Sequence, residues 1–195
     1  MIRLGLFGGT FDPVHYGHLR PVEAARVELG LESVLMLPNP LPPHKLAEPL
    51  TPYVHRKEML RLALNEFPHL TIADFEEHAA GPAYTSDTVR RVIASLGPGE
   101  RELWLIIGAD SLAELPHWKD PEALFRDVRV AAMPRPGVDL AAVPPGFLAR
   151  VRLLTTPLLA VSATDVRRRL KRGDSLTGLL PTAVIEYIRR HALYS

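Results

Sequence analysis

The sequence contains no cysteine, which excludes disulfide bonds and zinc sites built from thiolates. It also has no apolar run approaching the roughly 18–20 residues that a membrane-spanning helix needs. No basic segment followed by a long apolar stretch opens the chain, so we expect no signal peptide and a cytoplasmic location. Neither sign of charge is in excess, with 23 Lys and Arg against 22 Asp and Glu. Composition therefore gives no case for binding nucleic acid or membranes.

What is present is the composition of an ordinary globular protein, with 47% apolar and 23% charged residues in a chain of 195. This length is enough for one domain with a sizeable core. No internal repeat and no Ser/Gly-rich linker divides the chain, so we predict a single domain over residues 1–195. The sequence does not indicate an oligomeric state, and a homo-oligomer stays open.

Apolar runs typical of buried strands alternate with segments of helical periodicity. The predicted strands are Ile2–Phe7, Ser33–Leu37, Leu70–Ala73, Leu103–Ile107, Val128–Met133 and Val151–Leu154. The predicted core faces of the intervening helices are Met59, Leu60, Ala63, Leu64 and Phe67; Val89, Val92, Ile93 and Leu96; Val166 and Leu170; and Val184, Ile185 and Ile188. The alternation predicts an α/β fold, a doubly wound Rossmann-like domain with a mostly parallel sheet and helices on both faces.

Four sequence signals place the connections between these elements. Thr51 and Pro52 predict a helix start, as N-cap and first-turn proline. Ser162 predicts another helix start, and Gly173 predicts the end of that helix. The proline-rich stretch Pro38–Pro52 predicts an irregular loop. Because ligands bind beyond the carboxyl ends of strands in such folds, this loop should border the site.

The segment between the first strand and the first helix gives the strongest indication of function. It runs Gly8-Gly9-Thr10-Phe11-Asp12-Pro13-Val14-His15-Tyr16-Gly17-His18. Its glycines let the main chain approach a ligand, and the following helix N-terminus suits an anion. It matches neither the P-loop nor the dinucleotide fingerprint. If the helix begins near Gly17, His15 and His18 can face one phosphate; the alternatives are a zinc site completed by His44 or Asp12, or a structural pair.

Two later segments suit a nucleotide. Ser162 and Arg167 combine a helix N-terminus with a guanidinium, an arrangement that suits a chain of phosphate groups. Gly108 and Asp110 follow a buried strand, where a carboxylate can accept from both ribose hydroxyls. The alternative for Asp110 is a plain helix N-cap.

Four other residues are candidates for contacting a substrate. Trp118 could stack on an electron-poor pyridine ring, or could be a core tryptophan. Thr85 stands at a predicted helix start, which favours a carboxylate and also fits a simple cap. Lys45 in the proline-rich loop and Arg135 after the fifth strand are further candidates for contacting phosphate.

With these later segments, the first segment resembles the signature of the nucleotidyltransferase superfamily, and most closely the bacterial nicotinate mononucleotide adenylyltransferases. The matching segments are Gly8–His18, Pro42-Pro43-His44-Lys45, Tyr84–Thr88, Ile107–Leu112 with Trp118, Arg135-Pro136-Gly137 and Ser162–Arg167. The resemblance implies transfer of AMP from ATP to nicotinate mononucleotide, giving nicotinate adenine dinucleotide and pyrophosphate in NAD biosynthesis. The rival hypotheses are a related transferase with another acceptor and a non-catalytic nucleotide sensor.

The resemblance also implies roles for individual residues and for the metal. The implied catalytic residues are His15, His18 and Arg167; the implied ATP-binding residues are Gly8, Gly9, Thr10, Phe11, His15, His18, Gly108, Asp110, Ser162 and Arg167; the implied acceptor-binding residues are Lys45, Thr85, Trp118 and Arg135. We expect no metal site built by the protein itself. Mg²⁺ should arrive bound to ATP and keep several waters.

Overall fold

The computed structural model describes residues 2–41, 50–75, 84–135 and 137–194. The strands in these ranges are β1 (Ile2–Gly9), β2 (Ser33–Pro38), β3 (Leu70–Ile72), β4 (Arg101–Gly108), β5 (Arg129–Met133) and β6 (Val151–Leu153). They form one sheet in the order β3-β2-β1-β4-β5-β6, and every neighbouring pair is parallel. The strand order reverses between β1 and β4, which is the predicted doubly wound arrangement. The predicted strands are confirmed to within two residues at each end.

Helices connect the strands. They are α1 (Tyr16–Leu29), α2 (Tyr53–Ala63), α3 (Thr85–Ser95), α4 (Ala109–Glu114), α5 (Pro121–Asp127), α6 (Pro145–Leu148), α7 (Ala163–Arg172) and α8 (Thr182–Arg190), with short 3-10 helices at Leu64–Glu66, Leu115–His117 and Leu140–Ala142. Helices α1, α2, α7 and α8 cover one face of the sheet. Helices α3, α4 and α5 cover the other, so the predicted coverage of both faces is confirmed.

Strand β4 shows why the sheet is buried on both sides. Its side chains alternate between the two core layers: Trp104 and Ile106 pack on the α1 side, and Leu105 and Ile107 pack on the α3 side. Burying each such side chain contributes about 1.5–3 kcal/mol. A continuous apolar run is therefore what a central parallel strand requires.

The predicted start of α2 is wrong by one residue. Pro52, with an extended ψ of 140°, is the N-cap, and Thr51 lies outside the helix. Thr51 instead uses its main chain, since its N–H donates to Asp12 Oδ2 at 3.3 Å and its carbonyl accepts from Arg56 Nε at 2.8 Å. The predicted apolar face is confirmed at Met59, Leu60 and Ala63, which are buried, while Leu64 and Phe67 pack on it from the turn that follows.

The other predicted helix boundaries hold. Ser162 caps α7, with its Oγ accepting from Asp165 N at 3.1 Å, and Gly173 ends that helix at a φ of 71°. The predicted core residues are buried at Val89, Val92, Val166, Val184 and Ile188, and Ile93, Leu170 and Ile185 pack beside them. Leu96 is an exception, because it lies at the exposed end of α3.

Among the described residues, no helix combines the length and the apolar character needed to cross a membrane. That residues 1–195 form one domain stays a prediction.

Candidate active site

The signature segment occupies the centre of the sheet's carboxyl edge. Strand β1 ends at Gly9, α1 begins at Tyr16, and β1 lies between β2 and β4. Connections leave β1 and β4 on opposite faces of the sheet, which opens a crevice above these two strand ends. This switch point is where open α/β sheets bind ligands.

His15 and His18 lie together at the start of α1. Their rings stack with centroids 3.7 Å apart and planes 19° apart. His15 is the N-cap residue of α1 and is 1% exposed, while His18 is half-buried in the first turn. The helix begins one residue earlier than predicted, and the predicted pairing of the two imidazoles is observed.

The environment keeps His15 neutral. Burial, followed by the positive charge of Arg135, lowers the pKa of His15 to about 3. Its Nδ1 atom is buried and has no hydrogen-bond partner within the described ranges. A neutral imidazole can donate one hydrogen bond to a phosphate oxygen but brings no charge.

Phe11 supports the histidine pair from below. Its ring is 1% exposed and meets the His18 ring edge-on, with centroids 5.3 Å apart. A Cβ on Gly9 would lie 2.8 Å from the Phe11 ring, so glycine is required there for packing. Gly8 differs, because a Cβ there would meet only Leu37 O at 4.0 Å. The exposed main chain of Gly8, rather than the buried Phe11 side chain, is thus available to a ligand.

The start of α7 reaches the same crevice. Arg167 Nη1 donates to the Asp12 carbonyl at 2.7 Å, across 155 positions of sequence. A Cβ on Gly17 would lie 2.6 Å from Val161 O, so only glycine lets α1 approach the segment that leads into Ser162. The two segments predicted to bind ATP phosphates are therefore adjacent.

Asp110 and Arg135 form an ion pair at the end of β4. Asp110 lies in the first turn of α4, whose N-cap is Gly108, so the alternative that Asp110 is the cap is wrong. A Cβ on Gly108 would lie against the Asp110 carboxylate, which would then have to turn away from its present position. Because the Arg135 charge acts on His15, this pair borders the histidines.

An ion pair links the chain next to Trp118 with the first turn of α3, where Thr85 lies. Thr85 is the first residue of α3, after the N-cap Tyr84, so Thr85 is not the cap itself. Lys119 Nζ lies 2.8 Å from Asp87 Oδ2, joining the Trp118 segment to the first turn of α3. Trp118 is half-buried and packs on the core beneath this helix. The two residues predicted for the pyridine substrate thus belong to one region.

Arg56 is a structural centre that the sequence analysis missed. It is 1% exposed, and its guanidinium donates to four carbonyls: Thr51 and Pro40 at 2.8 Å, Thr10 and Asn39 at 2.7 Å. Burial lowers the pKa of Arg56, and the nearby Asp12 carboxylate opposes that shift. One feature of the sequence could have predicted this burial. Arg56 lies three residues before Met59 and four before Leu60, so it shares their apolar helical face.

Two predicted features lie outside the described residues. Lys45 and His44 both fall in 42–49, as does most of the loop Pro38–Pro52. Among the described residues, no cluster of three His, Asp or Glu side chains could hold a metal ion. Asp12, one candidate third ligand for zinc, accepts from the Tyr194 hydroxyl and from Thr51 N.

Comparisons with known proteins agree with this geometry. The model of the cytidylyltransferase-like family matches residues 6–169. A Thermomicrobium roseum protein named "Probable nicotinate-nucleotide adenylyltransferase" is 40% identical, covering 100% of this chain and 92% of its own. The Salmonella typhi protein named "Nicotinate-nucleotide adenylyltransferase" is 37% identical over 97% of both chains. The Plasmodium falciparum nicotinic acid mononucleotide adenylyltransferase complexed with NaAD has the same fold, with a TM-score of 0.81 at 18% identity, over 100% of this chain and 98% of that one.

Proposed function

Because the chain belongs to the nicotinate-nucleotide adenylyltransferases of the cytidylyltransferase-like family, we propose that it transfers AMP from ATP to nicotinate mononucleotide in NAD biosynthesis. The products are nicotinate adenine dinucleotide and pyrophosphate. The observation that carries the proposal is the stacked His15–His18 pair at the switch point of the sheet. Identity to the relatives over nearly the whole chain supports the choice of acceptor.

The chemistry needs little more than alignment and charge stabilisation. A phosphate oxygen of the mononucleotide attacks the α-phosphorus of ATP, and the bond from that phosphorus to the bridging oxygen of pyrophosphate breaks. A phosphate monoester with a second pKa of about 6 is largely dianionic at neutral pH, so no general base is required. Positioning and electrostatics dominate catalysis of this kind.

The histidine pair and α7 are assigned to the ATP phosphates. His18 donates to the α-phosphate, and the neutral His15 adds a second hydrogen bond beside it. Arg167, held at the same loop by the Asp12 carbonyl, neutralises the outer phosphates together with the N-terminus of α7 at Ser162.

The remaining assignments follow the edge of the sheet. Asp110 accepts from the ribose hydroxyls of ATP, and Gly8, Gly9 and Thr10 offer main chain to the nucleotide. Arg135, now paired with Asp110, and Lys45 bind phosphate of the acceptor. For the pyridine ring, Trp118 supplies a stacking surface, and the main chain at Thr85 donates to the carboxylate.

Mg²⁺ is proposed as the divalent ion, carried in on the phosphates of ATP. It favours octahedral oxygen ligands and retains several waters, so phosphate oxygens and waters can supply most of its ligands. That ion would offset negative charge on the departing pyrophosphate. Consumption of ATP supports the cytoplasmic location expected from the sequence.

The test is a side-by-side assay of pyrophosphate release with ATP and either nicotinate or nicotinamide mononucleotide. The carboxylate of the nicotinate form can accept hydrogen bonds from main-chain N–H groups. The amide of the nicotinamide form instead turns its NH₂ group toward one of them, and each buried N–H group left without an acceptor costs about 1–3 kcal/mol. We expect kcat/KM for the nicotinate form to be higher by at least about 10²-fold, or about 2.7 kcal/mol.

Trp118→Ala sharpens this test, because stacking should serve both rings equally. The variant should weaken both acceptors and leave their ratio nearly unchanged, and Trp118→Phe should recover part of the loss. CTP in place of ATP is the control for the donor. Equal kcat/KM values for the two acceptors would refute the proposal that the site recognises the carboxylate. The absence of pyrophosphate release with either acceptor would refute the proposed transferase activity.

A further inference from the structure

A tyrosine from the far end of the described chain reaches the signature loop. The Tyr194 hydroxyl donates to Asp12 Oδ1 at 2.5 Å, between residues 182 positions apart. Asp12 is only 6% exposed, so its carboxylate depends on protein donors rather than on water. Burial, followed by the hydrogen bond to Asp12, raises the pKa of Tyr194 above its usual range, which keeps the hydroxyl protonated as a donor.

The segment 191–194 is folded in a way that delivers this hydroxyl. After α8 the chain closes with Leu193 N donating to Ile188 O at 3.1 Å and Ala192 N donating to Arg189 O at 3.3 Å. Ala192 and Tyr194 adopt left-handed φ values of 48° and 66°, which cost a residue with a Cβ roughly 1–2 kcal/mol each. Leu193 and Tyr194 pack on the core of the α1 side, which offsets this cost.

Asp12 connects Tyr194 to Arg167, which is proposed to bind ATP. Its carbonyl accepts from Arg167 Nη1 at 2.7 Å, and its second carboxylate oxygen accepts from Thr51 N at 3.3 Å. Arg56 holds the carbonyls of Thr10 and Thr51 on either side. A shift of the Asp12 peptide would therefore move the guanidinium that faces ATP.

We propose that Tyr194 is a positioning residue of the ATP site, whose hydroxyl fixes Asp12 and, through the Asp12 carbonyl, fixes Arg167. The inference rests on the proposed function for the role of Arg167 toward ATP. Small displacements of aligned groups reduce rates steeply in positional catalysis. Removing the hydroxyl should thus lower kcat/KM for ATP by about 10-fold, or about 1.4 kcal/mol.

The experiment compares Tyr194→Phe with Tyr187→Phe. The control removes the same atom from the neighbouring helix, where the Tyr187 hydroxyl contacts His55 Nδ1 at 2.9 Å. Tyr194→Phe should raise the KM for ATP and lower kcat, while the KM for nicotinate mononucleotide stays unchanged. Tyr187→Phe should leave both KM values unchanged. A merely structural role would reduce the folded fraction, and hence apparent kcat, without moving either KM.

A second pair of variants tests the path through Asp12. Asp12→Asn keeps an acceptor oxygen for the Tyr194 hydroxyl and Asp12→Ala does not, so the KM for ATP should rise less in the first. In the Asp12→Ala background, Tyr194→Phe should add no further change. Equal KM values for Asp12→Asn and Asp12→Ala, or wild-type kinetics in Tyr194→Phe, would overturn the inference.

Failure of the proposed function would look different. The unmodified protein would then release no pyrophosphate with any acceptor offered. The positioning role would still be measured by calorimetric titration with ATP, where Tyr194→Phe should bind more weakly than Tyr187→Phe. Equal ATP affinities in that titration would overturn the role of Tyr194 by itself.

Discussion

Replacing Arg56 with Met should be among the most destabilising single changes on this chain. The guanidinium is 1% exposed and donates at 2.7–2.8 Å to four carbonyls from three separate loop positions. Hydrogen bonds to a charged group contribute about 1.5–3 kcal/mol each, but water entering the gap and relaxing loops would recover part of four such bonds. Each buried carbonyl left unpaired costs about 1–3 kcal/mol, so after partial recovery we adopt a total of about 3–5 kcal/mol for the four.

Arg61→Met is the matched control, because it makes the same change on the same helix. Arg61 is exposed and pairs with Glu58 at 2.7 Å one turn away, and such surface ion pairs contribute little to stability. The assay is urea denaturation followed by circular dichroism at constant pH. Arg56→Lys should fall between, because an ammonium has three donors for four carbonyls. A loss below about 1 kcal/mol in Arg56→Met, similar to Arg61→Met, would refute the reasoning.

Two other predictions concern the histidines. His18→Ala should lower kcat by roughly 10²–10³-fold, as removal of a charge-stabilising donor does in other enzymes, while the melting temperature stays unchanged. The control is His69→Ala, which changes an exposed histidine and should keep full activity. Near-normal turnover in a folded His18→Ala protein would remove His18 from the mechanism. His15 should make the fold acid-sensitive: its pKa is about 3 when folded against about 6.5 when unfolded, so the unfolded chain binds more protons between these values and stability falls as pH drops below about 6.5. From pH 6.5 to 5.5, wild type should lose more stability in urea than His15→Gln, and parallel losses would contradict the assigned neutral state.

The parts of the fold that depend on neighbouring residues could be predicted from the sequence. Strand β4 follows from one apolar run, and α7 follows from the Ser162 cap and the Gly173 stop. The pairing of His15 with His18 follows from their spacing once a helix starts between them. Thr51 was misassigned because Asp12 and Arg56 hold its main chain from across the fold, and the local sequence does not show these contacts.

The contacts that assemble the site could not be predicted in this way. The Tyr194–Asp12 and Arg167–Asp12 hydrogen bonds join positions more than 150 residues apart. Periodicity and capping patterns describe only residues within a few helical turns of one another. Long-range hydrogen bonds depend instead on how the connections between strands bring the strand ends together. A charged residue within an apolar helical face, such as Arg56, is the one local sign that a buried polar network exists.

These long-range contacts show that a site that needs no general base still depends on precise positioning of its loop. When the nucleophile is already an anion, the rate depends on holding two repelling phosphates in line. The groups proposed to touch ATP, His18 and Arg167, can do this only if the loop between β1 and α1 is fixed. Its peptide groups are held by Arg56 at Thr10 and, through the Asp12 side chain, by Tyr194, and both Arg56 and Asp12 are buried. Substitutions at residues that do not contact substrate should therefore change both the KM for ATP and the stability of the fold. The KM for ATP should change only when the substituted residue holds a peptide group of the loop between β1 and α1.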